Sequence, residues 1–121
     1  QAVRCALAMG ERLQQLNAEW MAQRQPTVAV RIGIHTGPLV AGSLGSRHRL
    51  EYAVVGDTVN IASRLESFAK DAPDAAQFPC RILISEATCH SLDERFRVIE
   101  VARVQFKGKQ QETTVYRVDG R

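Results

Sequence analysis

An α+β fold is what this chain predicts. Three observations point to it: a long helical pattern at the start, several short β-branched runs bounded by Gly and Pro, and no regular strand–helix alternation of the kind that builds a parallel sheet. With 121 residues, 45% of them apolar and 24% charged, the chain fits one domain with a real core, and this composition argues against disorder. The helices are expected on one face of an antiparallel sheet, leaving the other face for a partner.

Ala2 to about Gln23 carries Val3, Leu7, Leu13, Leu16 and Trp20 at spacings of threes and fours or their sums, which predicts an amphipathic helix that Gln25-Pro26 ends. Val28 to Thr36 is a β-branched run closed by Gly37-Pro38. Leu39 to Leu44, before Gly45-Ser46, is expected to return as its antiparallel hairpin partner. Leu50 to Val55 is a third extended segment that delivers the chain to Gly56-Asp57. Asp57 is expected to cap a helix from Thr58 to about Lys70, with Ile61, Leu65, Phe68 and Ala69 as its apolar stripe. Asp71 to Pro79 reads as a loop and Arg81 to Ile84 as a short strand. Ser85 then caps a small helix reaching about Ser91, with Glu86 in its acidic first turn. Phe96 to Phe106 and Thr113 to Val118 complete the pattern as a strand pair around Lys107-Gly108-Lys109.

The formal charge of +3 is mildly basic, but the Lys and Arg residues are scattered, so no nucleic-acid stripe is indicated. A small acidic ligand held at one or two points suits this balance better. Cys5, Cys80 and Cys89 are odd in number and show no Cys-x-x-Cys or Cys/His spacing, which supports neither a disulfide framework nor a zinc site. Reduced thiols in a cytoplasmic setting are the expectation. No apolar run approaches the roughly 20 residues of a membrane-spanning helix, and no signal peptide is visible. The chain opens on Gln1 inside a helical pattern without a capping signal, which predicts a piece of something longer.

Tyr52 to Glu66 carries the most chemistry. Asn60 and Arg64, four residues apart on the predicted helix, share one face beside the apolar stripe. The Asn60 amide can orient a hydroxyl or a water, and the planar, permanently charged fork of Arg64 suits phosphate. Together they point to a phosphate site. Each has a plainer reading as well: Arg64 as a solvated helix arginine, Asn60 as an amide bonded to local backbone, Lys107 and Lys109 as ordinary turn lysines. His35, in a strand between Ile34 and Thr36, reads as a packed or hydrogen-bonded structural histidine rather than a catalytic base.

Arg31-Ile32-Gly33-Ile34-His35-Thr36-Gly37-Pro38, then Glu51-Tyr52, then Gly56 to Glu66, and finally Val104 to Lys109 occur in an order that closely resembles the class III adenylyl and guanylyl cyclases, bacterial adenylate cyclases above all. The resemblance covers nearly the whole chain. It implies a ferredoxin-like α+β cyclase fold, with residues 1–121 as the C-terminal portion of a single catalytic domain whose N-terminal part is missing. It also implies the reaction, in which the ribose 3′-hydroxyl of ATP attacks the α-phosphate, pyrophosphate leaves and cyclic AMP remains. Members of the family work as head-to-tail homodimers with both subunits lining each site. Asn60 matches the asparagine that positions the ribose, Arg64 the arginine that stabilises charge developing on the α-phosphate, and Lys107 the lysine that reaches the terminal phosphates.

Two departures from the family pattern carry weight. Neither of its two metal-binding aspartates has a matching position, since Asp57 belongs to the segment leading into the Asn60 helix. By the resemblance, the strand and hairpin that carry those aspartates would precede Gln1. The expectation is two Mg²⁺ or Mn²⁺ ions in the complete domain with no ligand in this chain, an isolated piece that is inactive, and an incomplete sheet with an unpaired edge. Ala53 is the second departure, standing where adenylyl cyclases usually carry Asp, Thr or Ser and guanylyl cyclases commonly Cys as the residue that reads the purine. Its methyl group makes no hydrogen bond to a base. A guanylate cyclase, and a degenerate cyclase-homology module that binds nucleotide or a partner without catalysis, therefore stand as alternatives to the favoured adenylate cyclase. The resemblance implies a cytoplasmic domain, on its own or within a larger membrane or multidomain protein.

Overall fold

The computed structural model describes residues 1–46, 49–69, 79–106 and 111–121. The opening helix, α1 (Ala2–Ala22), is followed by three strands, β1 (Val30–Ile34), β2 (Val40–Ser46) and β3 (Arg49–Val55). Helix α2 (Asp57–Ser67), strand β4 (Cys80–Ser85) and the short α3 (Glu86–His90) come next, before β5 (Arg97–Val104) and β6 (Thr113–Gly120). The α+β class expected from sequence is the observed one. Most of the expected loop at 71–79, and Lys107 with Lys109, fall outside the described residues.

Four strands form one sheet in the order β1-β4-β6-β5, with β4–β6 and β5–β6 antiparallel. β1 does not pair with β2 as a hairpin. It runs parallel to β4 in the register Val30↔Cys80 to Ile34↔Ile84, and among the described strands it forms one edge of the sheet, β5 forming the other. The stretch from β1 through β2, β3 and α2 to β4 is therefore a crossover, the βαβ step that the sequence pattern obscured because a hairpin is inserted in it. β2 finds its partner in β3 instead, pairing from Val40↔Val55 to Ser46↔Arg49 as a separate two-stranded sheet.

The helices lie on both faces of the main sheet, not on one. Val3 and Ala6 of α1 pack with Ile82, Ile84 and Val118, whereas Ile61 and Leu65 of α2 pack with Leu83, Phe106 and Val115. Side chains alternate along a strand, so Ile82 and Ile84 face one helix while Leu83 between them faces the other. An uninterrupted apolar run such as Ile82-Leu83-Ile84 belongs to a strand covered on both sides. All three are at most 2% exposed.

α1 follows the expected periodicity, with Gly10 and Ala6 joining its inward stripe. A Cβ at Gly10 would sit 3.3 Å from Cys80 Cβ, so the small residue lets the helix lie close to β4. Asn17 adds a polar tie, donating to the Val28 carbonyl and accepting from the Val28 N–H, both at 2.9 Å. α2 ends at Ser67, short of the expected Lys70: Phe68 is its C-cap, and Ala69 turns left-handed at φ 46°.

Candidate functional site

β3 feeds directly into α2 through Gly56, whose φ of 135° lies where glycine is favoured. Gly56, not Asp57, is the N-cap, and no side chain makes a capping bond there. Asp57 is the first helical residue, its charge placed at the positive end of the helix. The expected Asp57 cap is thus displaced by one position, because a left-handed N-cap is easy for glycine and strained for aspartate.

Asn60 donates its backbone N–H to the Gly56 carbonyl at 3.2 Å, which closes the first turn of α2. Its side chain is exposed, and Arg64 one turn on is half-buried. Ile61 at 7% and Leu65 at 0% exposure each follow one residue later and point into the core. The polar pair consequently lies on one helix face, about 100° round from the apolar stripe, as the four-residue spacing predicts.

Three contacts with β1 and its flanks fix α2. In the middle, Gly33 of β1 lies against the helix backbone: a Cβ there would meet Ala62 O at 2.4 Å and Glu66 N at 2.5 Å. At the N-terminal end, the Thr58 hydroxyl donates to the Pro38 carbonyl, and a Cβ on Gly37 would lie 2.7 Å from Thr58 Oγ1. At the C-terminal end, Arg31 donates through Nε to the Glu66 carbonyl at 3.1 Å and to Glu66 Oε1 at 3.0 Å. Arg81 joins it, donating to the Glu66 carbonyl at 3.1 Å and the Ala69 carbonyl at 3.3 Å. Cations on the last carbonyls of a helix satisfy orphan acceptors and meet its negative end. Because both partners of the Arg31–Glu66 pair are about 40% exposed, the ion pair adds little stability and its effect is chiefly to fix position. The Ser67 hydroxyl and then Arg31 hold the Glu66 carboxyl below its ordinary range.

The glycines and the arginine of Arg31-Ile32-Gly33-Ile34-His35-Thr36-Gly37-Pro38 thereby acquire a physical reason: the segment is the bed on which the Asn60/Arg64 helix rests. Thr58, Glu66 and Arg81 were not visible as site residues in the sequence, since each acts through a long-range contact that local pattern does not encode. His35 is hydrogen-bonded as expected, its Nδ1 lying 2.7 Å from Ser85 Oγ. Ser85 in turn caps α3 by accepting from the Thr88 N–H, and Thr88 Oγ1 lies 2.9 Å from Thr36 Oγ1. This network joins the end of β1 to α3.

Ala53 lies on β3, paired with Gly42 of β2 and three residues ahead of Gly56. Lys107 is outside the described residues, but Phe106 immediately before it is buried in the cluster that contains Ile61 and Leu65. The chain leading to Lys107 is therefore anchored under α2 at Phe106. A cavity of about 430 Å³ between α1 and the sheet, lined by Leu7, Gly10, Cys80, Arg117 and Asp119, opens on the opposite face and takes no part in this arrangement. Among the described residues no group of three or more His, Cys, Asp or Glu lies together to hold a metal ion, and no helix is long and apolar enough to cross a membrane.

Comparison with known proteins agrees across nearly the full length. The family model described as the adenylate and guanylate cyclase catalytic domain matches residues 1–120. Adenylate cyclase 1 of Rhizobium meliloti is 38% identical over 98% of this chain and 17% of its own length. An adenylate cyclase of Anabaena cylindrica is 36% identical over 97% of this chain and 24% of its own. The chain thus spans no more than about a quarter of these relatives. Among solved structures, the adenylyl cyclase CyaB from P. aeruginosa superposes with a TM-score of 0.79 at 30% identity, over 99% of this chain and 58% of that one. The guanylyl cyclase Cya2 gives 0.77 at 30% identity, over 98% and 56%.

Proposed function

This chain belongs to the adenylate and guanylate cyclase catalytic domain family, and from that premise we propose that the whole protein is an adenylate cyclase converting ATP to 3′,5′-cyclic AMP and pyrophosphate. The observation that carries the reading is the Asn60/Arg64 face of α2, one turn apart, on a helix tied at three points to β1 and its flanks. Cyclisation needs the ribose 3′-oxygen held in line with the α-phosphorus, so that its bond to phosphorus forms as the bond to the pyrophosphate oxygen breaks. The Asn60 amide holds the ribose. The Arg64 guanidinium meets charge that grows on the α-phosphate oxygens in the transition state, and Lys107 holds the terminal phosphates. A preorganised cation is effective here because phosphoryl transfer asks the protein mainly for positioning and charge stabilisation.

Two Mg²⁺ or Mn²⁺ ions belong to this reading through the family resemblance. The described residues offer no cluster that fits them, and no step above is routed through them. Homodimerisation belongs to it as well. The β2–β3 hairpin forms a sheet separate from the main one, with Val40 68% exposed and Leu39 just before it 48% exposed, and a lone two-stranded sheet in water is marginal without a surface to cover it. ATP is favoured over GTP because the relatives at 38% and 36% identity are adenylate cyclases, although Ala53 offers the purine no side-chain hydrogen bond.

Incubation of the purified whole protein with ATP and GTP in competition, in the presence of Mn²⁺, tests the reading. Cyclic AMP as the main product is expected. Cyclic GMP as the main product would replace it with a guanylate cyclase, and nucleotide binding without either product would replace it with a binding module.

A further inference from the structure

We propose that Thr58 is a positioning residue for Asn60: its buried hydroxyl, donated to the Pro38 carbonyl, fixes the rotation of the first turn of α2 and so the direction in which the Asn60 amide is presented. The inference rests on the role given to Asn60 above. Thr58 is only 8% exposed, and its hydroxyl bonds to a carbonyl 20 residues back in the chain. A threonine in a first helical turn ordinarily bonds its own neighbouring backbone, so a bond to a distant turn is a tether between elements and not a local cap. The receiving turn is shaped for it. Gly37 has no Cβ, and one placed there would stand 2.7 Å from Thr58 Oγ1, too close for the hydroxyl to keep its position.

Asn60 is two residues beyond Thr58, in the same turn, and its N–H closes that turn on Gly56. Gly56, as N-cap, contributes no side chain to hold the turn. The Gly33 contact and the Arg31 and Arg81 bonds act further along, at Ala62, Glu66 and Ala69. Rotation of the first turn by about 10° moves an atom in the side-chain shell, roughly 6 Å from the helix axis, by about 1 Å. A misplacement of about 1 Å at a reacting group costs on the order of a hundredfold in rate. A hydroxyl that merely filled space would be replaced without such a loss by the isosteric methyl of valine.

The test uses the whole protein with Thr58→Val, Thr58→Ser, Asn60→Ala and the Thr58→Val/Asn60→Ala double variant. kcat and KM for cyclic AMP formation are measured per folded molecule, alongside thermal midpoints. Thr58→Val is expected to lower kcat about tenfold or more with KM within about twofold, Thr58→Ser to restore most of the rate, and Thr58→Val to add nothing further once Asn60 is alanine. Wild-type kcat in Thr58→Val, beside a loss in Asn60→Ala, would overturn the positioning role alone. So would an equal fractional loss from Thr58→Val on both backgrounds, because the hydroxyl would then act on the fold and not through Asn60. Wild-type kcat in Asn60→Ala would overturn the reading of Asn60 and the positioning role with it.

Discussion

Gly33→Ala puts one methyl group between β1 and α2 and asks how much of the site depends on their direct contact. The new Cβ would lie 2.4 Å from Ala62 O, 2.5 Å from Glu66 N and 3.0 Å from Leu65 Cβ, whereas ordinary van der Waals contact begins at 3.4 Å. Two of the three obstructing atoms are backbone, which no rotamer change removes. α2 must therefore move off the sheet by about 1 Å or the strand must bend. Gly33 is not among the residues with positive φ, so alanine meets no conformational penalty and gains about 0.4–1 kcal/mol from a less flexible unfolded chain. Overpacking of this kind costs about 1–3 kcal/mol or more, and the clash wins. A thermal midpoint lower by about 5–15 °C is expected for a domain of this size. A helix displaced by about 1 Å also carries Asn60 and Arg64 away, which predicts a loss on the order of a hundredfold in kcat. Circular-dichroism melting and cyclic AMP formation by the whole protein measure the two effects. Gly42→Ala is the control, since a Cβ at Gly42 meets nothing within 4 Å. A Gly33→Ala protein that melts within about 1 °C of wild type and keeps its kcat would refute the view that this glycine sets the height of α2.

Leu65→Ala removes a side chain with 0% exposure between α2 and the sheet, and denaturant unfolding should register a loss of about 2–5 kcal/mol; less than about 1 kcal/mol would mean that the site collapses to fill the space. Glu66 has its carboxyl held below the ordinary value of 4.5 by Ser67 and Arg31. Its contribution to stability is therefore present above that value and fades as pH falls through the lower folded-state value. The difference in melting temperature between wild type and Glu66→Gln should accordingly shrink as pH falls from above 4.5 through the lowered folded-state value, and a pH-independent difference would remove the carboxylate from the tether. Cys5 is exposed, while burial pushes the Cys80 and Cys89 thiols up, Glu86 adding to the effect at Cys89. A thiol reagent at neutral pH should label Cys5 first; faster labelling of Cys80 would contradict its packing against α1.

Local chemistry made the elements legible and left their pairing hidden. α1 was readable because 21 residues repeat one apolar spacing, and Ser85 was readable as a cap because its hydroxyl acts within its own turn. β1 and β2 looked like a hairpin because Gly37-Pro38 is good turn chemistry. The carbonyl of that turn instead receives Thr58 from α2, while β1 pairs with a strand that begins 46 residues after β1 ends. Such a pairing is decided by tertiary burial and not by turn residues. The sidedness of the helices was encoded, since Ile82-Leu83-Ile84 lacks the alternation of a half-exposed strand. In the candidate site, Asn60 and Arg64 could be found because a four-residue spacing is a helical property. Gly33, Thr58 and Arg81 could not be assigned their parts, because each owes its effect to an atom more than ten residues away.

Arg64 bears most directly on the claim that the polar face of α2 performs the cyclisation. The decisive quantity is the turnover of ATP to cyclic AMP by the whole protein with Arg64→Ala, compared with wild type and with Arg64→Lys, in samples matched for thermal midpoint. The proposed role predicts a loss in kcat of about a hundredfold or more for alanine, with only partial recovery by lysine, which keeps the charge and lacks the planar fork. Wild-type turnover in Arg64→Ala would contradict it.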